Sequence, residues 1–275
     1  MLRIGEYNTL RVGREVDFGL YLESDDEEIL LPGKYVPEGT VVGSELNVFV
    51  HTDSEDRLIA TTKKPKAVVG EYAPMEVVDV TDFGAFVDIG LEKDLLIPKK
   101  EQRLRLKKGE ICVVRVMLDK QTGRMIGTTK FGPYIKKAGN FLKKSQKVDL
   151  LVYDASELGF SVLVNGSFQG MVFRNDVFGT VRIGDRLDGY IRHIRPDGKL
   201  DIVLKPLGKG ALEANRDAVL SRLEAAGGSL PFNYKSAPEA IEREFSLSRK
   251  AFKSVLTDLI AQGVIEMDES GMRKK

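Results

Sequence analysis

The chain has 275 residues, with 42 Lys and Arg against 41 Asp and Glu, two His, one Cys and no Trp. That length suggests about two domains, or more if they are small, and 42% hydrophobic residues suffice to build real cores. The net charge of +1 excludes a globally basic nucleic-acid coat, and the single Cys112 excludes an internal disulfide framework and a cysteine-based zinc site.

Short β-branched and aromatic runs separated by Gly, Pro, Asp and Lys fill the first three quarters of the chain. In residues 1–64 the expected strands are Glu6–Val12, Phe18–Leu22, Glu28–Leu31, Glu45–Val50 and Leu58–Thr61. Asp25-Asp26-Glu27-Glu28 falls between two of them and is expected to be a solvated loop. In residues 65–130 the runs are Val77, Val78 and Val80, then Phe83–Ile89, Leu95–Ile97, Ile111–Leu118 and Arg124–Thr129. Residues 131–147 hold five lysines and no acid. There Tyr134, Ile135, Ala138, Phe141 and Leu142 fall on one helical face, so a basic linker helix is expected. In residues 148–207 strands are expected at Val148–Tyr153, Phe160–Val164, Gly170–Phe173, Arg186–Ile194 and Leu200–Leu204.

From Gly208 the pattern becomes helical. Leu212, Val219 and Leu223 mark a first helix that Gly227-Gly228 stops. Ser236 with Glu239 is a capping-box pattern for a second. Ser248 is placed to cap a third, with Phe252, Val255, Leu256, Leu259 and Ile260 as its apolar stripe and Gly263 as its end. Val264–Met267 and Met272–Lys274 then form a small hairpin. Three helices and a hairpin in residues 208–275 describe a winged helix.

Two signatures repeat through the β region. Asp17-Phe18-Gly19-Leu20-Tyr21 matches Asp82-Phe83-Gly84-Ala85-Phe86 and, more weakly, Glu157-Leu158-Gly159-Phe160-Ser161. Downstream, Arg57, Arg124 and Lys199 open a second signature, 38, 40 and 40 residues after Gly19, Gly84 and Gly159. Fixed spacing repeated three times marks a true internal repeat. Five strands in about 65 residues fit a small barrel of the OB type. The fold class expected is therefore mainly β with a C-terminal α+β domain: three tandem five-stranded OB-fold barrels followed by a winged helix. Charge is uneven, with residues 1–64 at net −6, 65–130 at +2 and 131–147 at +5.

Phe83 and Phe86 are the most informative residues. Residues three apart on a regular strand face opposite ways, but a bulge at Gly84 would turn both rings onto one surface. The plainer alternative is that one or both rings fill the core. Val77, Val80, Val87, Ile89, Ile111, Val113 and Ile126 already supply much of that core. Two exposed rings make a stacking platform for unpaired bases, and Asp119 and Arg124 flank it at the ends of the fourth and fifth strands.

The middle unit resembles the RNA-binding domain of ribosomal protein S-one across residues 68–130. The resemblance rests on Phe83–Gly90, Leu95-Leu96-Ile97-Pro98, Lys107–Glu110 and Asp119–Lys130. It implies an RNA surface made of Phe83, Phe86, Asp119 and Arg124, with Ile97 where that family carries a histidine. In the first unit it implies Phe18, Tyr21 and Arg57, on a barrel whose acidity weakens phosphate contact. The third unit has Leu158 and Ser161 at the aromatic positions, where Phe173 with Arg174 and Lys199 is a partial replacement on what is otherwise a spacer. The whole chain resembles the conserved virulence factor B (YitL-like) family, which implies RNA binding and regulation of gene expression in a bacterium.

Other cations are candidate backbone contacts: Lys136, Lys137, Lys143 and Lys144 in the linker, and Arg249, Lys250 and Lys253 on the third helix, with Arg273, Lys274 and Lys275 on the wing. Duplex nucleic acid or a protein is the partner expected of the winged helix, if that domain is more than a solvated surface. Cys112 sits in an apolar run and is expected to be a small buried hydrophobe. No phosphate-binding glycine loop, nucleophile elbow or zinc-protease helix occurs, so no catalytic residue, no cofactor and no metal is expected. No apolar run approaches the ~18–20 residues of a membrane span, and residues 1–10 lack the pattern of a signal peptide. The expectation is a non-enzymatic cytoplasmic protein that binds single-stranded RNA and has no membrane partner. The alternatives are a DNA-binding transcription regulator acting through the winged helix and a protein-docking adaptor.

Overall fold

The computed structural model describes residues 2–24, 27–177, 179–206 and 209–275. Asp25-Asp26 and the expected change of pattern at Leu207-Gly208 lie outside them.

Alternation of buried and exposed side chains produces three five-stranded barrels in succession. The first comprises β1 (Tyr7–Val16), β2 (Gly19–Glu23), β3 (Glu28–Pro32), β4 (Glu45–Thr52) and β5 (Leu58–Thr61), closed in the order β1-β2-β3-β5-β4. The third comprises β11 (Lys147–Ala155), β12 (Gly159–Val164), β13 (Phe168–Phe173), β14 (Arg186–Ile194) and β15 (Leu200–Val203), closed in the same order. Between them lie β6 (Tyr72–Val80), β7 (Gly84–Val87), β8 (Leu95–Pro98), β9 (Ile111–Leu118) and β10 (Met125–Thr128). This middle sheet runs β10-β9-β6-β7-β8, so β8 and β10 meet at a seam rather than as a hydrogen-bonded pair.

Each barrel has the same irregularity. The first long strand slips register once against the second, between Val12 and Arg14, Val77 and Asp79, and Val152 and Asp154. One extra residue per first strand gives the coil that lets a short sheet close on itself. The bulge of the middle barrel is thus at Val78 on β6, not at Gly84 as expected. Gly84 has a different role: a Cβ there would stand 2.5 Å from the Ile97 carbonyl oxygen, so only glycine lets β7 and β8 approach.

The mainly apolar run Ile111–Met117, interrupted by Arg115, is buried on both faces from Cys112 to Val114. Cys112, Val114 and Val116 point into the middle barrel, while Val113 points outward to Phe131, Leu151 and Leu163. Burial also pushes the Cys112 thiol up to about 12. The Phe131 ring sits edge-on to Tyr72 of the middle barrel at 5.1 Å and to Tyr153 of the third at 5.2 Å. Arg103 and Asp154 pair at 2.8 Å beside this seam.

The linker helix expected over 131–147 does not form. The segment makes two 3-10 turns, Gly132–Tyr134 and Gly139–Phe141, each followed by an extended residue. Pro133 lacks a donor, Gly139 takes a positive φ, and the backbone bonds go to the third barrel instead. Lys136 donates to the Ser167 carbonyl at 2.8 Å and Ala138 to that of Gly198 at 3.1 Å. Phe131, Ala138 and Leu142 are buried, but Phe141 is 82% exposed and does not share their face.

The C-terminal unit comprises α1 (Lys209–Ala225), β16 (Ser229–Leu230), α2 (Pro238–Phe245), α3 (Arg249–Ala261), β17 (Ile265–Met267) and β18 (Met272–Lys274). β16 adds a third strand to the expected hairpin, beside β18. Ser248 caps α3, accepting from the Ala251 amide at 3.2 Å. The Ser236 capping box is not made, because α2 starts at Pro238 with Ala237 as its cap. The Ser236 hydroxyl accepts instead from the Asn233 amide at 2.9 Å. Of the α3 stripe, Phe252, Val255, Leu256 and Leu259 are buried, while Ile260 is 38% exposed.

Candidate nucleic-acid interface

On β7, Ala85 and Val87 are buried and Phe86 faces out, as alternation requires. Phe83 escapes that alternation because it lies in the turn before the strand. Its carbonyl accepts from the Lys99 amide at 3.0 Å, and the Thr81 amide donates to the Gly84 carbonyl at 2.8 Å. The two rings stand edge to face at 5.8 Å, and Phe83 is 60% exposed. On β8 the outward residues are Leu96 and Pro98, which pair with Phe86 and Gly84. Ile97, expected to stand beside the rings in place of a histidine, is fully buried in the core.

These rings open into a groove of about 520 Å³ that the middle barrel does not form alone. Residues of both β8 and β10 line its floor, along the seam between them, and His51, Ser54 and Asp56 of the first barrel line its other wall. Asp119 and Arg124 also line it, so four of the expected site residues come together here. They differ in what they are free to do. The Asp119 carboxylate accepts from the amides of Gln121 at 2.9 Å and Thr122 at 3.0 Å, and these bonds hold it below the usual carboxylate range. It builds the turn that presents Arg124. The Arg124 guanidinium binds the Asp56 carboxylate of the first barrel. Lys93 reinforces the junction, donating to the Asp53 carbonyl at 2.6 Å and lying 4.0 Å from Asp56. Lys34 pairs with Glu92 at 2.5 Å across the same junction. Lys100 stands 3.9 Å from Asp119 on the groove's edge.

Asp56 and Lys93 are not expected at the site from the sequence. Their membership depends on how two barrels abut, and no periodicity within either repeat encodes that.

The first barrel repeats the ring pair, with Phe18 60% exposed and its ring edge-on to Tyr21 at 6.4 Å. The face is already engaged, however. Arg14 lies over Tyr21 and binds Glu28 at 2.6 Å, and Arg57 is held by Asp53 and Glu55 at 2.7 and 2.9 Å. In the third barrel Leu158 takes the exposed aromatic position, also at 60%. Phe173 pairs with Gly159 in the register that Pro98 has with Gly84, so it does reach this face, with Arg195 at 5.9 Å from its ring. Arg174 is committed elsewhere, over the Phe160 ring and onto the Ser156 carbonyl at 2.7 Å.

Of the linker lysines, Lys137 packs its methylenes against Gly198, beside the turn that carries Lys199. Lys136, Lys143 and Lys144 are exposed and have no ion pair among the described residues. On α3, Arg249 and Lys250 are exposed, likewise without an ion pair among the described residues, and Lys253 is half-buried. On the wing, Arg273 lies 3.8 Å from Asp268 and Lys274 pairs with Glu224, so those cations are neutralised within their own domain.

Known proteins match this architecture. Residues 4–63 and 69–130 each match the S1 domain, and residues 217–273 match the CvfB-like winged helix domain. The protein YitL of Bacillus subtilis, described as uncharacterized, is 27% identical over 100% of this chain and 94% of its own. Conserved virulence factor B of Staphylococcus epidermidis is 24% identical over 82% of this chain and 78% of its own. A crystal structure of a multidomain protein with nucleic acid binding domains from Streptococcus pneumoniae is 25% identical, covers 99% of this chain and 98% of that one, and superposes with a TM-score of 0.47. No helix among the described residues is long and apolar enough to cross a membrane. S1 and winged helix domains are nucleic-acid-binding types, and the chain thus belongs among the S1-domain proteins that end in a CvfB-like winged helix, as a homologue of YitL and conserved virulence factor B.

Proposed function

We propose that the protein is a cytoplasmic, non-enzymatic regulator of gene expression that binds single-stranded RNA, with Phe83 and Phe86 as the stacking platform. The observation that carries this reading is the ring pair at 5.8 Å, Phe83 exposed and Phe86 half-buried with its face outward, opening into a groove edged by Arg124 and Lys100. Ring faces stack on any unpaired base, whereas a duplex keeps its bases stacked on each other and offers them no face. A groove with cations on one edge suits a backbone that tracks past the rings. Recognition by stacking tolerates base identity, so sequence preference is modest.

Fluorescence anisotropy with a single-stranded RNA and with duplex DNA, each at two salt concentrations, tests the reading. Phe83→Ala with Phe86→Ala should weaken RNA binding at least ~30-fold, given roughly 1–3 kcal/mol per stacked base, with the fold intact by circular dichroism. Preference for the duplex, with loss on Arg249→Ala and Lys253→Ala instead, assigns the binding to the winged helix.

A further inference from the structure

The first barrel poses a physical question. It carries net −6, yet its 53–57 turn closes one wall of a groove whose opposite wall carries the stacking rings. An acidic wall beside a polyanion site lowers affinity unless its charge is already used. The Asp56 carboxylate is used: it binds Arg124, and Lys93 stands 4.0 Å away on the same oxygen pair. The turn delivers it there firmly. The Asp53 carboxylate accepts from the amides of Glu55 and Arg57 at 2.9 and 3.0 Å and from the Arg57 guanidinium at 2.8 Å.

We propose that the nucleic-acid site is a cleft shared by the first two barrels, in which Asp56 holds Arg124 where a strand phosphate belongs, so that a strand enters by exchanging carboxylate for phosphate. This rests on the reading that Phe83 and Phe86 stack bases. Arginine's planar fork accepts a carboxylate or a phosphate with equal geometry, so the exchange needs no rebuilding of the site. The pair is also easy to break. Arg124 and Asp56 are 53% and 40% exposed, and an ion pair that wet gains little over its solvated partners. Lys93 keeps its bond to the Asp53 carbonyl when Asp56 departs, so the cation that the exchange turns toward the strand is Arg124. The arrangement favours ligands that both stack and bring a phosphate to Arg124, and it disfavours polyanions that bring charge alone.

Salt dependence of binding isolates the exchange. In the wild type a phosphate on Arg124 displaces a protein carboxylate. In Asp56→Asn it neutralises an open cation, and the slope of log K against log salt steepens by about 0.7 for each phosphate gained on a single strand. Affinity at low salt should rise by up to about fivefold, the worth of one exposed pair. Asparagine suits the position, because Asp56 has φ 63° and asparagine tolerates that conformation. Arg124→Ala should cancel the effect, so that Arg124→Ala alone and with Asp56→Asn bind alike. Ser54→Trp, on the first-barrel wall alone, should exclude the strand while the melting temperature holds.

An unchanged slope in Asp56→Asn, with tight binding in Ser54→Trp, overturns the shared cleft. If Phe83→Ala with Phe86→Ala still abolishes binding in that case, the platform stands on the middle barrel by itself. If the double alanine variant binds as wild type, stacking is wrong, and the Asp56→Asn slope still decides the exchange.

Discussion

The Arg14 guanidinium lies 3.9 Å from the centre of the Tyr21 ring, at the register position that Asp79 occupies opposite Phe86. A cation covers the ring in the first barrel, and a solvated carboxylate stands beside it in the second. The two ring pairs therefore differ in availability although their sequences differ little. Replacing Phe18 and Tyr21 together by alanine should weaken single-stranded RNA binding less than ~3-fold, against at least ~30-fold for Phe83 and Phe86. Parallel anisotropy titrations check this, and equal losses would make the first barrel a second platform.

Gly84→Ala should destabilise the middle barrel by about 1–3 kcal/mol, the usual cost of forcing extra volume into a packed site. The new methyl would meet the Ile97 carbonyl oxygen and the Leu96 side chain, and backbone cannot give way as a side-chain end can. Urea unfolding followed by circular dichroism reads the loss. An unchanged midpoint shows that β7 and β8 stand farther apart than described.

Two kinds of contact join the second and third barrels, and magnitude separates them. Phe131 is buried between Tyr72 and Tyr153, so Phe131→Ala should cost about 3–5 kcal/mol and loosen the seam. The Arg103–Asp154 pair is partly exposed, and Arg103→Ala should change stability by less than ~1 kcal/mol. Small-angle scattering and limited proteolysis report the seam directly. A larger effect from Arg103 than from Phe131 would reverse the ranking of apolar burial over charge.

His51 lines the groove and is half-buried, stacked on Phe49 at 5.8 Å. Burial, partly opposed by the Thr52 carbonyl, holds its imidazole below the ordinary value of about 6.5. The unfolded chain therefore takes up this proton more readily than the folded one. The stabilisation is complete above about pH 6.5 and is lost as the pH falls through the depressed folded value. Between pH 7 and 5.5 the wild type should lose more thermal stability than His51→Gln. Equal losses place the acid sensitivity on other groups.

Much of this architecture is legible in local pattern. Alternation over four to nine residues placed the strands, because a barrel wall has one inside and one outside. Ser248 and Gly263 marked the ends of α3, because helix termini need partners that few residue types supply. The ring pair was legible for the same reason, as an aromatic-Gly-x-aromatic unit repeated at fixed distance from a basic residue.

Where local pattern misled, long-range packing decided. Residues 131–147 carry a helical period, yet their amides find acceptors on the third barrel, and a chain with Pro133 and Gly139 gains more from those bonds than from a short helix. Ile97 lies in a segment matched to a ligand position, but strand parity turns it into the core. The contact that shapes the groove, Arg124 on Asp56, joins residues 68 apart. The sequence by itself determined three barrels, a winged helix and an aromatic pair, since each arises from interactions among near neighbours. Only the tertiary structure decided that the acidic turn of one barrel closes over the rings of the next, because abutting surfaces leave no period in the chain that forms them.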